Sequence, residues 1–172
     1  MNRYFLTISA ALFTGVCALP AQAANPFSTE AKQAYTSAKN NILKAAEKMP
    51  EEDYSFKPTP DVRTFGALIA HIADSQMRTC SAFNGEAKKA DASSKTSKAD
   101  IVAALKESFD ECDKAYDSLT DATASEMVKS RRGERSKLGV LNGNTIHDSE
   151  EYGYLAVYLR LKGIVPPSSE RR

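Results

Sequence analysis

The sequence lacks the short motifs that identify several common enzyme classes. It contains no phosphate-binding loop, no G-x-S-x-G, no H-E-x-x-H and no C-x-x-C. Each of these motifs sets reactive or phosphate-binding groups at a fixed spacing. Without them, nothing in the sequence supports a P-loop, α/β-hydrolase, zincin or thioredoxin-type redox function.

The chain also has almost no net charge. It carries 23 Lys and Arg against 22 Asp and Glu, a formal net charge of +1. Nucleic-acid-binding domains have a basic surface, so this balance argues against a nucleic-acid partner. The one basic cluster, RRGER at 131–135, is short and has no interleaved aromatic residue, and it is interpreted as a solvated loop.

Residues 1–23 are predicted to be a secretory signal peptide. Arg3 precedes an apolar run from Phe5 to Leu19, and Ala21-Gln22-Ala23 is a small-x-small cleavage pattern. The run is shorter than the ~20 residues that a membrane span needs, so no stable membrane insertion is expected after cleavage. The sequence therefore predicts one domain, residues 24–172, in the periplasm or secreted.

Four long segments show helical periodicity, and none of comparable length alternates like a strand. The first runs from Ser28 to Met49, Thr64 caps the second, Ser97 caps the third, and the fourth ends at Gly163. Between the third and fourth, about residues 120–143, the segment is less regular and contains the turn signal Asn142-Gly143. Four amphipathic helices in one domain predict an all-α four-helix bundle, although periodicity alone leaves the helix order open.

Cys80 and Cys112 are predicted to form a disulfide. They lie on the apolar stripes of the second and third helices, sixteen and fifteen residues after the caps. At a rise of ~1.5 Å per residue, the cysteines lie about 24 and 22 Å along their helices from the caps, so they are level if the helices run parallel. An antiparallel pair would separate them by roughly 18 Å, beyond the ~7 Å Cα limit for a bridge. Two buried free thiols are the alternative.

The chain has only two histidines, His71 and His147, and Glu151 lies one helical turn after the second. One face of the fourth helix carries His147, Glu151, Leu155 and Tyr158. The polar side chains of His147 and Glu151 therefore lie on the same face as the apolar residues that follow them. Two imidazoles and a carboxylate from two helices form a known catalytic ligand set for metals. A polar core cluster without a metal is the alternative.

Two blocks of the sequence, FKPTPDVRTFGALIAHIADSQ and HDSEEYGYLAVYLRLKGIVPPSS, resemble the DinB/YfiT-type four-helix bundles. The resemblance implies an up-down-down-up bundle with a divalent metal held by one histidine of the second helix and an H-x-x-x-H pair of the fourth. The matching positions are His71, His147 and Glu151. Glutamate therefore stands where the family usually has its third histidine.

Glutamate can bind zinc, nickel, iron or manganese, so we expect the site to keep a metal, with zinc or nickel before iron or manganese. The competing interpretation is that the site has lost tight metal affinity. Asp74, one turn after His71, is a candidate for supporting a ligand by hydrogen bonding, or else a solvated helix residue.

The resemblance implies a metal-dependent hydrolase or thiol transferase that acts on a small molecule, since relatives include thiol-dependent transferases and isomerases. Export argues against a cytosolic thiol as cosubstrate, so hydrolysis or another reaction of a small molecule is expected as much as thiol transfer. The alternative is a non-catalytic envelope binding or stress protein whose His/Glu cluster is structural. Enzyme activity, substrate and a homodimeric state are left open by the sequence.

Overall fold

Four helices make up most of the computed structural model, which describes residues 25–130 and 133–170. They are α1 Pro26–Lys48, α2 Phe65–Phe83, α3 Lys98–Ser118 and α4 Lys137–Leu161. Two short antiparallel strands, β1 Met127–Ser130 and β2 Gly133–Ser136, lie between α3 and α4. The predicted signal peptide, residues 1–23, lies outside the described residues and stays a prediction. In the described part of the chain, no helix is long and apolar enough to span a membrane.

Side-chain caps start three of the helices. The hydroxyl oxygens of Thr64, Ser97 and Ser136 each accept the backbone N–H three residues on, at 3.2, 3.1 and 3.1 Å. Such a bond satisfies one of the N–H groups left free at a helix start. The caps predicted at Thr64 and Ser97 are confirmed.

Contacts between helix ends give the direction of α1, α3 and α4. Lys98, which opens α3, donates to the carbonyl oxygen of Met49 after α1 at 2.7 Å, so these two helices run antiparallel. Lys48 ends α1 and donates to the carbonyl oxygen of Val165, beyond α4, at 2.9 Å. The ends of α1 and α4 therefore meet, and these two helices run parallel.

Helices α2 and α3 also run parallel. A disulfide joins Cys80 to Cys112 with their Cα atoms 4.9 Å apart, and near the helix starts Gly66 packs against Ile101. The predicted pairing is confirmed, and the order is up-down-down-up. Both sulfurs belong to residues with no exposed surface.

The buried face of each helix agrees with the predicted periodicity. The aromatic and aliphatic side chains of the four stripes form one core, in which Tyr35 stacks on Tyr116 with ring centroids 3.9 Å apart. The fully buried large side chains are Tyr35, Tyr116, Phe65, Phe109, Ile42, Met49, Ile69, Ile72, Leu105, Leu141, Leu155 and Leu159. Burial of this apolar surface is what holds the bundle together.

The segment before α4 differs from the prediction. Residues expected to be irregular form the β1–β2 hairpin, and α4 begins at Lys137, so the predicted Asn142-Gly143 turn lies inside a helix. Ser136 supplies the cap, and the first turns of α4 are held by packing of Val140 and Leu141. This tertiary packing overrides the local turn preference of Asn-Gly.

Gln76 is the one fully buried amide side chain in the α2 stripe, and neither Nε2 nor Oε1 has a hydrogen-bond partner among the described residues. A buried polar group without a partner destabilises a fold by about 1–3 kcal/mol. We expect Gln76→Met, which is close in volume, to raise the free energy of unfolding in urea by that amount. The same change at exposed Gln33 is the control and should have little effect; a less stable Gln76→Met variant would show that the amide is satisfied.

Candidate metal centre

The three predicted ligands come together at the contact between α2 and α4. His71 lies in the middle of α2, and His147 and Glu151 lie one turn apart on the antiparallel α4. The Nε2 atoms of the histidines are 3.2 Å apart, and Oε1 of Glu151 lies 3.4 Å from His71 Nε2 and 3.5 Å from His147 Nε2. The three atoms form a nearly equilateral triangle.

This triangle has the size that a tetrahedral metal site requires. Zinc binds nitrogen and carboxylate oxygen at ~2.0–2.2 Å, and the edge of a tetrahedron is ~1.63 times that distance, or roughly 3.3–3.6 Å. The observed edges of 3.2–3.5 Å agree. The two imidazoles are also partly accessible, with His71 and His147 29% and 27% exposed, while Glu151 is 9% exposed. The residues present therefore fit a divalent cation with an open coordination position.

A buried carboxylate supports His147 from behind. Asp148 Oδ1 lies 3.7 Å from His147 Nδ1, longer than a hydrogen bond but within the range of charge attraction. Neither atom has a hydrogen-bond partner among the described residues. Asn144 Nδ2 donates to the other oxygen of Asp148 at 3.2 Å. A carboxylate that accepts the second ring N–H fixes the orientation and tautomer of a metal-binding histidine, and Asp148 is the carboxylate beside that nitrogen.

The two histidines have different electrostatic surroundings. Burial lowers the pKa of His71, and the nearby charges of Arg63 and Arg78 add to that effect. The neighbouring Asp148 raises the pKa of His147 despite its burial. Because a cation needs both Nε2 atoms unprotonated, protonation of His147 is the first event that competes with a metal as the pH falls.

Among the described residues, Asp74 forms no hydrogen bond with either histidine. Its Oδ1 and Oδ2 accept the backbone N–H groups of Ala92 and Ser93, at 2.7 and 3.2 Å, which fastens the α2–α3 linker to α2. The carboxylate beside a ligand is instead that of Asp148. A supporting role for Asp74 at the metal centre stays a prediction.

A cavity of about 360 Å³ opens beside the centre, between α2, α4 and the hairpin. His147 lines one part of it, so the cavity and the ligand cluster share a side chain. The remaining walls combine hydroxyl, amide, cationic and apolar side chains. A small molecule in this cavity would lie against the candidate centre.

The sequence interpretation did not identify Asp148, Asn144 or the cavity. A signal for the first two was available, because Leu141, Asn144, Asp148 and Glu151 recur at helical spacing and form the buried face of α4. The basic cluster assigned to a solvated loop supplies one cavity residue, Arg135, which is only half-exposed. No sequence signal places that hairpin residue next to α2 and α4.

Comparisons with known proteins agree with this architecture. The profile of the DinB superfamily matches residues 34–155, a range that contains all three candidate ligands. Among solved structures, a DinB-like protein from Bacillus cereus ATCC 10987 has a TM-score of 0.67 at 18% identity, covering 81% of this chain and 95% of that chain. A DinB-like protein from Bacillus subtilis has a TM-score of 0.65 at 20% identity, covering 83% and 99%. No curated protein has a significant match.

Proposed function

The chain belongs to the DinB superfamily, and we propose that it is a metal-dependent enzyme acting on a small molecule by hydrolysis or thiol transfer. The observation that carries the proposal is the triangle of His71 Nε2, His147 Nε2 and Glu151 Oε1, with edges of 3.2–3.5 Å. The adjoining cavity gives a substrate access to it.

A divalent cation, zinc or nickel before iron or manganese, would supply Lewis acidity and lower the pKa of a water or thiol that it binds. The chain contributes the orientation of His147 through Asp148 and Asn144. It also offers the second oxygen of Glu151, Oε2, which is buried without a hydrogen-bond partner in the described chain. That oxygen is a second acceptor within the ligand cluster.

The disulfide supports a location outside the cytoplasm. Disulfides persist in oxidising compartments and are rare in the cytosol, and Cys80 and Cys112 are bonded here. We therefore propose that the mature protein works in the periplasm or is secreted, in agreement with the predicted signal peptide.

A structural role is the second candidate, and one contact favours it. The two histidines can hydrogen-bond each other directly at 3.2 Å, so the cluster can be partly satisfied without a metal. In that case the protein would be a non-catalytic envelope binding or stress protein.

Metal content and activity together test the proposal. Protein from expression of the full chain is stripped with a chelator, reloaded with zinc or nickel, and assayed with a p-nitrophenyl ester, and with 1-chloro-2,4-dinitrobenzene plus cysteine. Metal-dependent ester cleavage supports hydrolysis, and metal- and thiol-dependent arylation supports transfer. Failure to bind any first-row divalent metal after reloading would favour the structural role.

Glu151→His tests the unusual third ligand. The change creates the three-histidine set that the family resemblance implies, and imidazole nitrogen binds zinc well, so we expect zinc affinity to rise about tenfold or more. Competition with a chromogenic chelator measures it. Glu150→His on the exposed face of the same helix is the control. Equal or weaker zinc binding by Glu151→His would show that the centre is adapted to a carboxylate.

A further inference from the structure

The cavity beside His147 is cationic although the chain as a whole is nearly neutral. Its lining includes Arg78 of α2, Lys129 of β1 and Arg135 of β2, and no carboxylate is among the lining residues. Neither guanidinium forms an ion pair with a carboxylate in residues 25–130 and 133–170. Within the described residues, no carboxylate therefore pairs with the guanidinium groups of this cavity.

The Arg135 side chain lies against α4 where two glycines, one helical turn apart, leave room for it. A Cβ atom at Gly143 would lie 3.1 Å from Arg135 Nη1, and a Cβ atom at Gly139 would lie 3.7 Å from Nη2. Two glycines in the first half of a helix lower its intrinsic stability by up to about 1 kcal/mol each relative to alanine. The space they leave lets the guanidinium approach the backbone of α4 closely.

This guanidinium lies close to the metal centre. Gly143 and His147 are four residues apart on α4, a spacing that puts Cβ positions ~5–6 Å apart on one helix face. Arg135 therefore lies about one helical turn from a candidate ligand. A molecule of a few carbon atoms can reach both.

Apolar side chains form the other part of the wall. Phe83 and Ala82 at the end of α2, Val128 of β1 and Val140 of α4 line the cavity together with the cationic residues. Sites of this kind bury an apolar body and orient it through a few polar groups. The planar fork of arginine matches the oxygens of a carboxylate or phosphate.

We propose that this cavity binds a small organic anion, with its carboxylate or phosphate group on the guanidinium of Arg135, its apolar body against Phe83 and Val128, and its reacting part toward His147. The proposal rests on the proposed function, because it names the substrate class of the same centre. Arg78, on the facing helix, adds a second positive charge to the anion site.

Binding of three matched probes tests the inference: 3-phenylpropionate, 2-phenylethyl phosphate and the uncharged 3-phenylpropanol. Each is titrated by ligand-observed NMR or calorimetry into protein expressed from the full chain, first metal-free and then zinc-loaded. We expect at least one anion to bind about tenfold or more tightly than the alcohol in the metal-free protein. The tighter of the two anions identifies the headgroup as carboxylate or phosphate.

Variants assign the binding to the guanidinium. Arg135→Gln should remove the preference for the anion over the alcohol, and Arg135→Lys should restore it only in part because lysine lacks the fork. Gly143→Ala should weaken anion binding several-fold, since the added Cβ displaces Arg135. Gly153→Ala, on the same helix with nothing within 4 Å of the added Cβ, is the matched control and should bind as wild type.

Equal binding of alcohol and anions, no binding of any probe, or unchanged anion binding by Arg135→Gln would overturn the proposal. The metal-free titration separates this outcome from failure of the proposed function. If the protein takes up no metal yet binds the anions through Arg135, the anion site stands and the enzyme assignment falls. If metal binds and the anions do not, the anion site falls and the metal centre of the proposed function stands.

Discussion

Replacing His71 or His147 with alanine is expected to abolish stoichiometric metal binding while the helical content stays close to that of the wild type. Each change removes one of three ligand atoms that lie 3.2–3.5 Å from each other. Two remaining protein ligands hold zinc far more weakly than three, so we expect metal content to fall from about one ion per chain to near zero after dialysis. Elemental analysis measures the metal, and far-ultraviolet circular dichroism measures the helices.

The fold should tolerate these substitutions because both imidazoles are partly exposed, 29% and 27%, and neither belongs to the hydrophobic core. Glu151→Ala should likewise lose metal, and Glu150→Ala, which removes the adjacent exposed carboxylate, should retain it. Both histidine variants retaining metal at unchanged affinity would show that the triangle is not the binding site. Loss of helical signal in the histidine variants, with loss of metal, would point to a structural cluster.

Local periodicity was enough to predict most of the bundle. The apolar side chains that recur at helical spacing along α3 and at the residue after it are all buried, because a period of 3.6 residues is a property of the segment itself. They are Ile101, Leu105, Phe109, Cys112, Tyr116 and Leu119. The positions of Cys80 and Cys112 relative to their caps then tied the predicted disulfide to a parallel direction of the two helices, and the bond is present. Positions along two helices can be compared in this way because the rise per residue in a helix is constant.

The start of α4 could not be read from local preferences. Asn142-Gly143 has the composition of a turn, yet both residues lie in a helix that packs through Leu141 and Asn144. The stabilisation comes from contacts with other helices, including the hydrogen bond from Tyr116 to the Leu141 carbonyl oxygen at 2.6 Å. Partners this distant in sequence leave no periodic signal near the turn.

The ligands of the candidate centre can be predicted from the sequence, but the residues that surround them cannot. The sequence identifies the three ligands because the chain has only two histidines, His71 and His147, and Glu151 lies on the same helix face as His147, four residues later. Asp74 follows His71 by three residues and Asp148 follows His147 by one, and these spacings alone do not tell which carboxylate faces a ring nitrogen. The packing of the α2–α3 linker on α2 gives Asp74 the backbone N–H groups of Ala92 and Ser93 as partners. Asp148 is instead the carboxylate near His147 Nδ1, at 3.7 Å.

Removal of the disulfide is expected to produce the largest loss of stability among these changes. The bond between Cys80 and Cys112 spans a sequence separation of 32 residues. Closing a loop of this length restricts the unfolded chain and stabilises the fold by about 3–4 kcal/mol in the chain-entropy account. For a domain of this size, that corresponds to a fall in Tm of roughly 6–16 °C.

The double variant Cys80→Ala/Cys112→Ala and the reduced wild-type protein should therefore have similar, lower stability in urea. Either single variant should lose nearly as much as the double variant, because each one alone breaks the bond and the second change removes little more. Mass spectrometry after alkylation, with and without prior reduction, reports whether the thiols are bonded in protein recovered from expression of the full chain. Free thiols in the protein before reduction, or equal stability with and without reductant, would contradict the cross-link. The parallel direction of α2 and α3 would then rest on packing contacts such as that of Gly66 with Ile101.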